Sequence, residues 1–168
     1  MLKVHPDLPE LPITASGWDW LKRYGVTVKV RDAHSTRGGG YWWPDRKLVE
    51  LFTAQEEAAI HELAHAWWHE RRLQGSSAVE MMVATVKLTE EKDPRYARAA
   101  ELAHHYIYGI QGQADQNSPT GFWRGMLVDG NDWEMFAGLA SGAMGHLDRL
   151  PPYVRRFYKG LFDEASEP

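Results

Sequence analysis

The spacing of apolar residues changes character partway along the chain. Before residue 53 they fall in short β-branched or alternating runs, and beyond it they recur at helical intervals. Val26-Thr27-Val28-Lys29-Val30 alternates and predicts a strand. Tyr41-Trp42-Trp43 and residues 47–52 predict a strand, a turn at Pro44-Asp45, and a second strand. Residues 32–40, which include three consecutive glycines, read as a loop. Ile60, Leu63, Ala64 and Trp67 then form an apolar stripe that predicts a helix over about 54–73. Thr53 to Glu56 fits a capping box, and Glu56 and Glu57 place negative charge where the helix dipole favours it. Further helices are predicted over 77–91, 94–108 (Asp93 as cap, Pro94 in the first turn), 132–144 and 152–162. A polar loop is expected over 109–121. Near the start, Trp18 to Tyr24 reads as a short helix stopped by Gly25, and residues 1–16, with Pro6, Pro9 and Pro12, as an extended N-terminal arm. This order is α+β: one domain over 1–168, with a small N-terminal β-sheet, then a long helix, then a helical C-terminal half. No internal repeat is visible.

The long helix carries the candidate chemistry. With His61 at zero on a helical wheel, His65 lies at about 40° and Glu62 at about 100°, while the apolar stripe spans roughly −60° to −160°. The two imidazoles thus share a face and can reach one metal ion, and Glu62 stands beside them as a proton acceptor for an attacking water. That is the H-E-x-x-H arrangement of zinc hydrolases, in His61-Glu62-Leu63-Ala64-His65. A pair of histidines serving only the core or a solvated face has no use for Glu62 between them. A catalytic zinc takes a third protein ligand. His69 lies two turns, about 12 Å, beyond His61, too far to share the ion. The extended metzincin pattern fails, because Trp68 and Arg71 stand where it needs glycine and histidine. The remaining candidates are Glu134, Glu80 and, more remotely, a histidine or aspartate elsewhere, among them His104 and His105, whose side chains diverge by about 100° on a helix.

Asn131-Asp132-Trp133-Glu134-Met135-Phe136-Ala137 opens a later helical run. The pairing of HELAH with this N-x-x-E-x-F-A resembles the gluzincin metallopeptidases, most closely the group similar to the catalytic domain of anthrax lethal factor. The resemblance covers roughly residues 47–162, and the run Leu150 to Tyr158 is similar to the final helix of those domains. It implies a zincin-like fold and a zinc metalloendopeptidase acting on a peptide or protein substrate. It also implies zinc held by His61, His65 and Glu134, Glu62 as general base, and a sheet edge that takes the substrate as an added strand. Asn131 would then cap the helix that aims Glu134.

The chain departs from the group in three respects. The two motifs are separated more widely, Leu127 stands where the group has an oxyanion-stabilising tyrosine, and no N-E-x-x-S-D segment is present. Other readings stay open. Glu134 could be the last residue of a capping box begun by Asn131, Glu80 could be the third ligand from the next helix, and the whole could be a non-catalytic zinc-binding module that recognises a partner. His5, Asp7 or Glu10 of the N-terminal arm could also reach the metal and hold an enzyme latent.

Composition narrows the classes. A net charge of −4 and a pI near 6.0 give no basic field for nucleic acid. Without cysteine there is no disulfide framework, and no apolar run is long enough for a membrane span or a signal peptide. A cytoplasmic protein with no nucleic-acid or membrane partner is expected, with secretion by a non-standard route left open. Eight tryptophans are many for this length. Trp67 belongs to the core stripe, whereas Trp68, at about −20° on the wheel, either walls a substrate pocket or fills an aromatic core.

Overall fold

The computed structural model describes residues 1–31, 39–72, 77–109 and 132–162. The first helix, α1 (Ala15–Arg23), begins three residues earlier than the apolar pattern suggests because Thr14 caps it. The Thr14 hydroxyl accepts from the Gly17 amide at 2.9 Å and donates to the Gly160 carbonyl at 2.6 Å, so one side chain starts the helix and ties it to the far end of the chain.

The segment before it is not the extended arm that its prolines suggest. Leu2 and Leu11 exchange two backbone hydrogen bonds of 2.7 and 2.8 Å, and Ile13 bridges to Phe162. Leu8, Leu11 and Ile13 are buried. Three prolines fix local φ angles, but burying these aliphatic side chains decides where the segment goes. Its contacts run to residues 145 and 160–162 and make it a wall of the core.

A three-stranded sheet follows: β1 (Thr27–Val30), β2 (Gly40–Trp43) and β3 (Leu48–Leu51). The spatial order is β1-β3-β2, with β1 parallel and β2 antiparallel to the central β3. Register is fixed by burial, Trp42 pairing with Val49 on the covered side. The expected turn between β2 and β3 is a short 3₁₀ stretch, Pro44–Arg46, closed by Lys47 at φ 48°. Lys47 donates from Nζ to the Tyr24 carbonyl at 2.7 Å. Among the described residues β2 is an edge strand, and Gly40 at its start meets Glu62 of the helix that follows.

That helix, α2 (Glu56–Arg72), starts two residues later than expected. Thr53 accepts from the Gln55 amide at 3.3 Å, a local turn rather than the capping box. The helix runs between the sheet and α5 (Asp132–Ala143) and is covered on more than its apolar stripe: Glu62, His65, Ala66 and Trp68 are buried along with Ile60, Leu63, Ala64 and Trp67.

Helix α3 (Ala78–Glu91) packs on α5 and ends at Lys92 in the left-handed region. The single helix expected over 94–108 resolves into three pieces: a 3₁₀ turn, Pro94–Tyr96, capped by Asp93; helix α4 (Ala97–His104); and a π-helical turn, His105–Gly109. The C-terminal helix is likewise shorter than its pattern, α6 (Pro152–Arg155) passing into 3₁₀ geometry over Arg156–Tyr158. Asn131, Leu127 and most of the expected loops over 32–40 and 109–121 lie outside the described residues. No helix among the described residues is long and apolar enough to cross a membrane.

Candidate metal centre

One turn apart on α2, His61 and His65 turn their Nε2 atoms toward each other at 3.1 Å, with the rings nearly perpendicular at 86°. Across from them, the first turn of α5 presents Glu134. Its Oε2 lies 3.5 Å from His61 Nε2 and its Oε1 3.5 Å from His65 Nε2. One ligand atom from each residue falls within 4.8 Å of the others, so the three could hold a metal ion. The spacing fits that use. A tetrahedral centre with bonds of about 2.0–2.1 Å sets its ligand atoms about 3.3–3.4 Å apart, close to the 3.1 Å between the imidazoles and to the 3.5 Å from each imidazole to a different Glu134 oxygen.

The charge states suit a cation. Burial pushes the His65 imidazole down to about 4, so it is neutral at neutral pH. Burial also opposes the ionised form of Glu134, but its hydrogen bond with His61 and the charges of both histidines outweigh that and hold it below the usual carboxylate range. For His61 burial works downward, yet Glu134 and the charges of Glu62 and Glu57 raise it overall. In the metal-free protein a proton and a cation therefore compete for His61.

Glu62 stands at the flank of this group. Burial raises its carboxyl to about 7, with Glu134 reinforcing the shift and His61 and the Trp42 amide opposing it. A Cβ at Gly40 would come within 2.8 Å of Glu62 Cγ, so this glycine lets the start of β2 lie directly on the Glu62 side chain.

A pH-dependent stability follows for protein stripped of metal by a chelator. Below pH 4.5 Glu62 is protonated in both folded and unfolded chains and costs nothing. Between pH 4.5 and about 7 only the unfolded chain ionises freely, so folding weakens as pH rises, by about 3 kcal/mol once past 7. Metal-free Glu62→Gln lacks this loss. It should be the more stable of the two above pH 7, with the gap closing toward pH 4.5 in denaturant titrations.

Helix α5 is fixed by contacts that bracket Glu134. Trp68 donates from its indole N–H to the buried carboxylate of Asp132. The same indole stacks on Phe136 at 4.8 Å, Phe136 stacks on Tyr158 at 4.3 Å, and the Tyr158 hydroxyl donates to the Phe136 carbonyl at 2.6 Å. Trp133 packs 4.9 Å from the His65 ring. Trp68 thus belongs to the aromatic core and aligns α5 rather than walling a pocket. Trp68→Phe keeps the stack and removes the donor from a buried carboxylate. The expected cost is about 2 kcal/mol, read as a melting temperature lower by about 4–8 °C.

No family model, curated protein or solved structure matches this chain. The site is read from its own geometry.

The other sequence candidates lie elsewhere. Glu80 is exposed and pairs with Arg156 at 3.0 Å, and Ser77 makes no side-chain cap ahead of it. His104 and His105 are both exposed, and neither joins the metal group among the described residues. His69 meets the edge of Trp42 at 6.2 Å. Of the N-terminal candidates, His5 faces Asp7 at 3.8 Å and Glu10 is exposed.

Three contributors were missed from sequence: Gly40 against Glu62, Asp132 under Trp68, and Tyr106, whose ring stacks on His61 at 6.3 Å. Burial, then the charges of Glu134, Glu57 and Glu62, push the Tyr106 phenol up to about 12. Asp132 sits in the same motif as Glu134, and its adjacency was the one available signal. Gly40 and Tyr106 reach the site only through tertiary packing.

Proposed function

We propose that this protein is a zinc-dependent metalloendopeptidase of gluzincin type with a zincin-like fold, hydrolysing peptide bonds in an extended substrate. The observation that carries the reading is the convergence of His61, His65 and Glu134, with Glu62 beside them. Two imidazoles and one carboxylate form the ligand set of hydrolytic zinc sites, which leave a coordination position open. When bound, zinc would supply a Lewis acid that polarises the scissile carbonyl and acidifies the attacking water.

The protein's own groups supply the rest. Glu62, held against Gly40, takes the proton of the attacking water and returns it to the departing amine. The Trp68–Asp132 contact and the Phe136 stack keep Glu134 facing the histidines. The edge of β2, which adjoins Glu62, offers backbone groups to a substrate added as a further strand.

Metal analysis of the purified protein, together with cleavage of a denatured protein or a mixed peptide library, tests the reading. Stoichiometric zinc with chelator-sensitive hydrolysis supports it. Bound zinc without any hydrolysis points instead to a metal-containing recognition module, and absence of bound metal after incubation with zinc rejects both.

A further inference from the structure

Helix α3 is apolar on two opposite faces. Met81, Ala84, Thr85 and Leu88 are buried, and they face α4, α5 and α6. On a helical wheel they are centred about 160° away from Val79, Met82, Val83 and Val86, which point outward. Val79 and Val83 are 64% and 62% exposed, and with Met82, Val86, Lys87 and Glu90 they line an open groove along the helix. A helix that is apolar all round is normally covered on both sides. Nothing local favours the three valines either, since β-branched residues are weaker helix formers than the lysine and glutamate around them.

The spacing and the charges say what fits this face. Val79, Val83, Val86 and Glu90 recur at intervals of four, three and four, the seam of a helix pair. Glu80 and Lys87 lie seven residues apart on one flank of that seam, and both are exposed. If a second α3 lies antiparallel, Val83 of each copy faces Val86 of the other in two central layers. Glu80 of each copy then stands beside Lys87 of the other, so opposite charges meet twice. Glu90 comes over the first turn of the second copy, where Ser77 supplies no side-chain cap and the helix dipole favours an acid. A parallel pair would instead set Glu80 and Lys87 against Met82 and Thr89. Within one chain Glu80 meets Arg156 at 3.0 Å, and Lys87 meets Glu91 at 3.5 Å and lies over the Tyr153 ring. These are exposed pairs of small worth, and a second opposite charge can join each of them.

We propose that the outer face of α3 is a self-association surface, on which two copies of this chain pair through antiparallel α3 helices. The face is self-complementary, as a two-fold interface must be, because residue i meets j and j meets i.

Sedimentation of the full-length protein over a range of concentrations tests the pairing. The wild type should move from a 19.2 kDa monomer toward twice that mass, with a dissociation constant on the order of micromolar. Val83→Glu puts a charge in the central layers while keeping a good helix former one turn before Lys87. It should weaken the dimer at least about tenfold. Its circular dichroism and melting temperature should match the wild type when both are dilute and monomeric, because an exposed side chain has been replaced.

Orientation is tested separately, since the chain has no cysteine of its own. A mixture of Val79→Cys and Glu90→Cys proteins should oxidise to a disulfide-linked pair, whereas Val79→Cys alone should not. This arm also decides the matter if Val83→Glu fails to fold. A wild type that stays monomeric up to about 500 μM would overturn the proposal and leave the face to a different protein. A dimer that Val83→Glu leaves intact would overturn it too, by placing the contact elsewhere. Ready linkage of Val79→Cys to itself would reject the antiparallel arrangement. Neither zinc content nor peptide cleavage is read, so the result is independent of the metallopeptidase reading.

Discussion

Glu134→Ala should leave the purified protein without stoichiometric zinc and without peptidase activity. The carboxylate contributes one oxygen toward each histidine, at 3.5 Å in both cases, and its removal leaves two protein ligands where a catalytic zinc uses three. Affinity should fall by more than the roughly 10–100-fold that follows from losing a supporting hydrogen bond. The variant should still fold, since in the metal-free protein the lost contacts are to His61 and His65 while Met135 and Phe136 keep α5 in the core. Glu80→Ala is the matched control. Its partner is Arg156, both side chains are exposed, and such a pair adds at most about 1 kcal/mol. Zinc measured at equilibrium under one chelator buffer should be normal in Glu80→Ala and lost in Glu134→Ala. Normal zinc in Glu134→Ala would remove Glu134 from the ligand set.

The H-E-x-x-H pair was legible because helical periodicity alone puts His61 and His65 on one face. Glu134 was marked by the resemblance of Asn131 to Ala137 to a gluzincin motif, while the residues alone left Glu80 and a capping role for Glu134 open. The wheel was less informative about surroundings. It separates a buried stripe from a flank bearing Glu62 and His65, yet both are buried, because β2 covers one and Trp133 the other. Periodicity reports which residues want the core, whereas the second layer over a central helix depends on elements far away in sequence.

The same distinction explains the N-terminal segment, where Pro6, Pro9 and Pro12 dominate the local signal and Leu8, Leu11 and Ile13 determine the docking. It also explains Tyr106. The single extra residue per turn that makes a π-helix leaves no compositional trace, so a helix predicted straight through residue 108 hides the turn that brings this ring to His61.

Glu62→Gln should bind zinc as the wild type does and cleave no peptide at a measurable rate. The substitution keeps side-chain length and volume, so it fits the space against Gly40, where anything bulkier at the strand would collide. It leaves His61, His65 and Glu134 intact as the group able to hold the ion. What disappears is the capacity to accept a proton, which an amide lacks in the relevant pH range. General-base catalysis contributes about 10²–10⁴-fold, and here the same group also delivers the proton to the leaving amine, so the loss should reach the upper end of that range. The measurement pairs zinc content with turnover of a peptide cleaved by the wild type. A variant with normal zinc and undiminished turnover would show that the proton goes elsewhere. A variant that loses zinc would show that Glu62 holds the histidines in place. A rate loss confined to turnover, with zinc unchanged, separates the role of Glu62 from that of Glu134, whose removal takes metal and activity together.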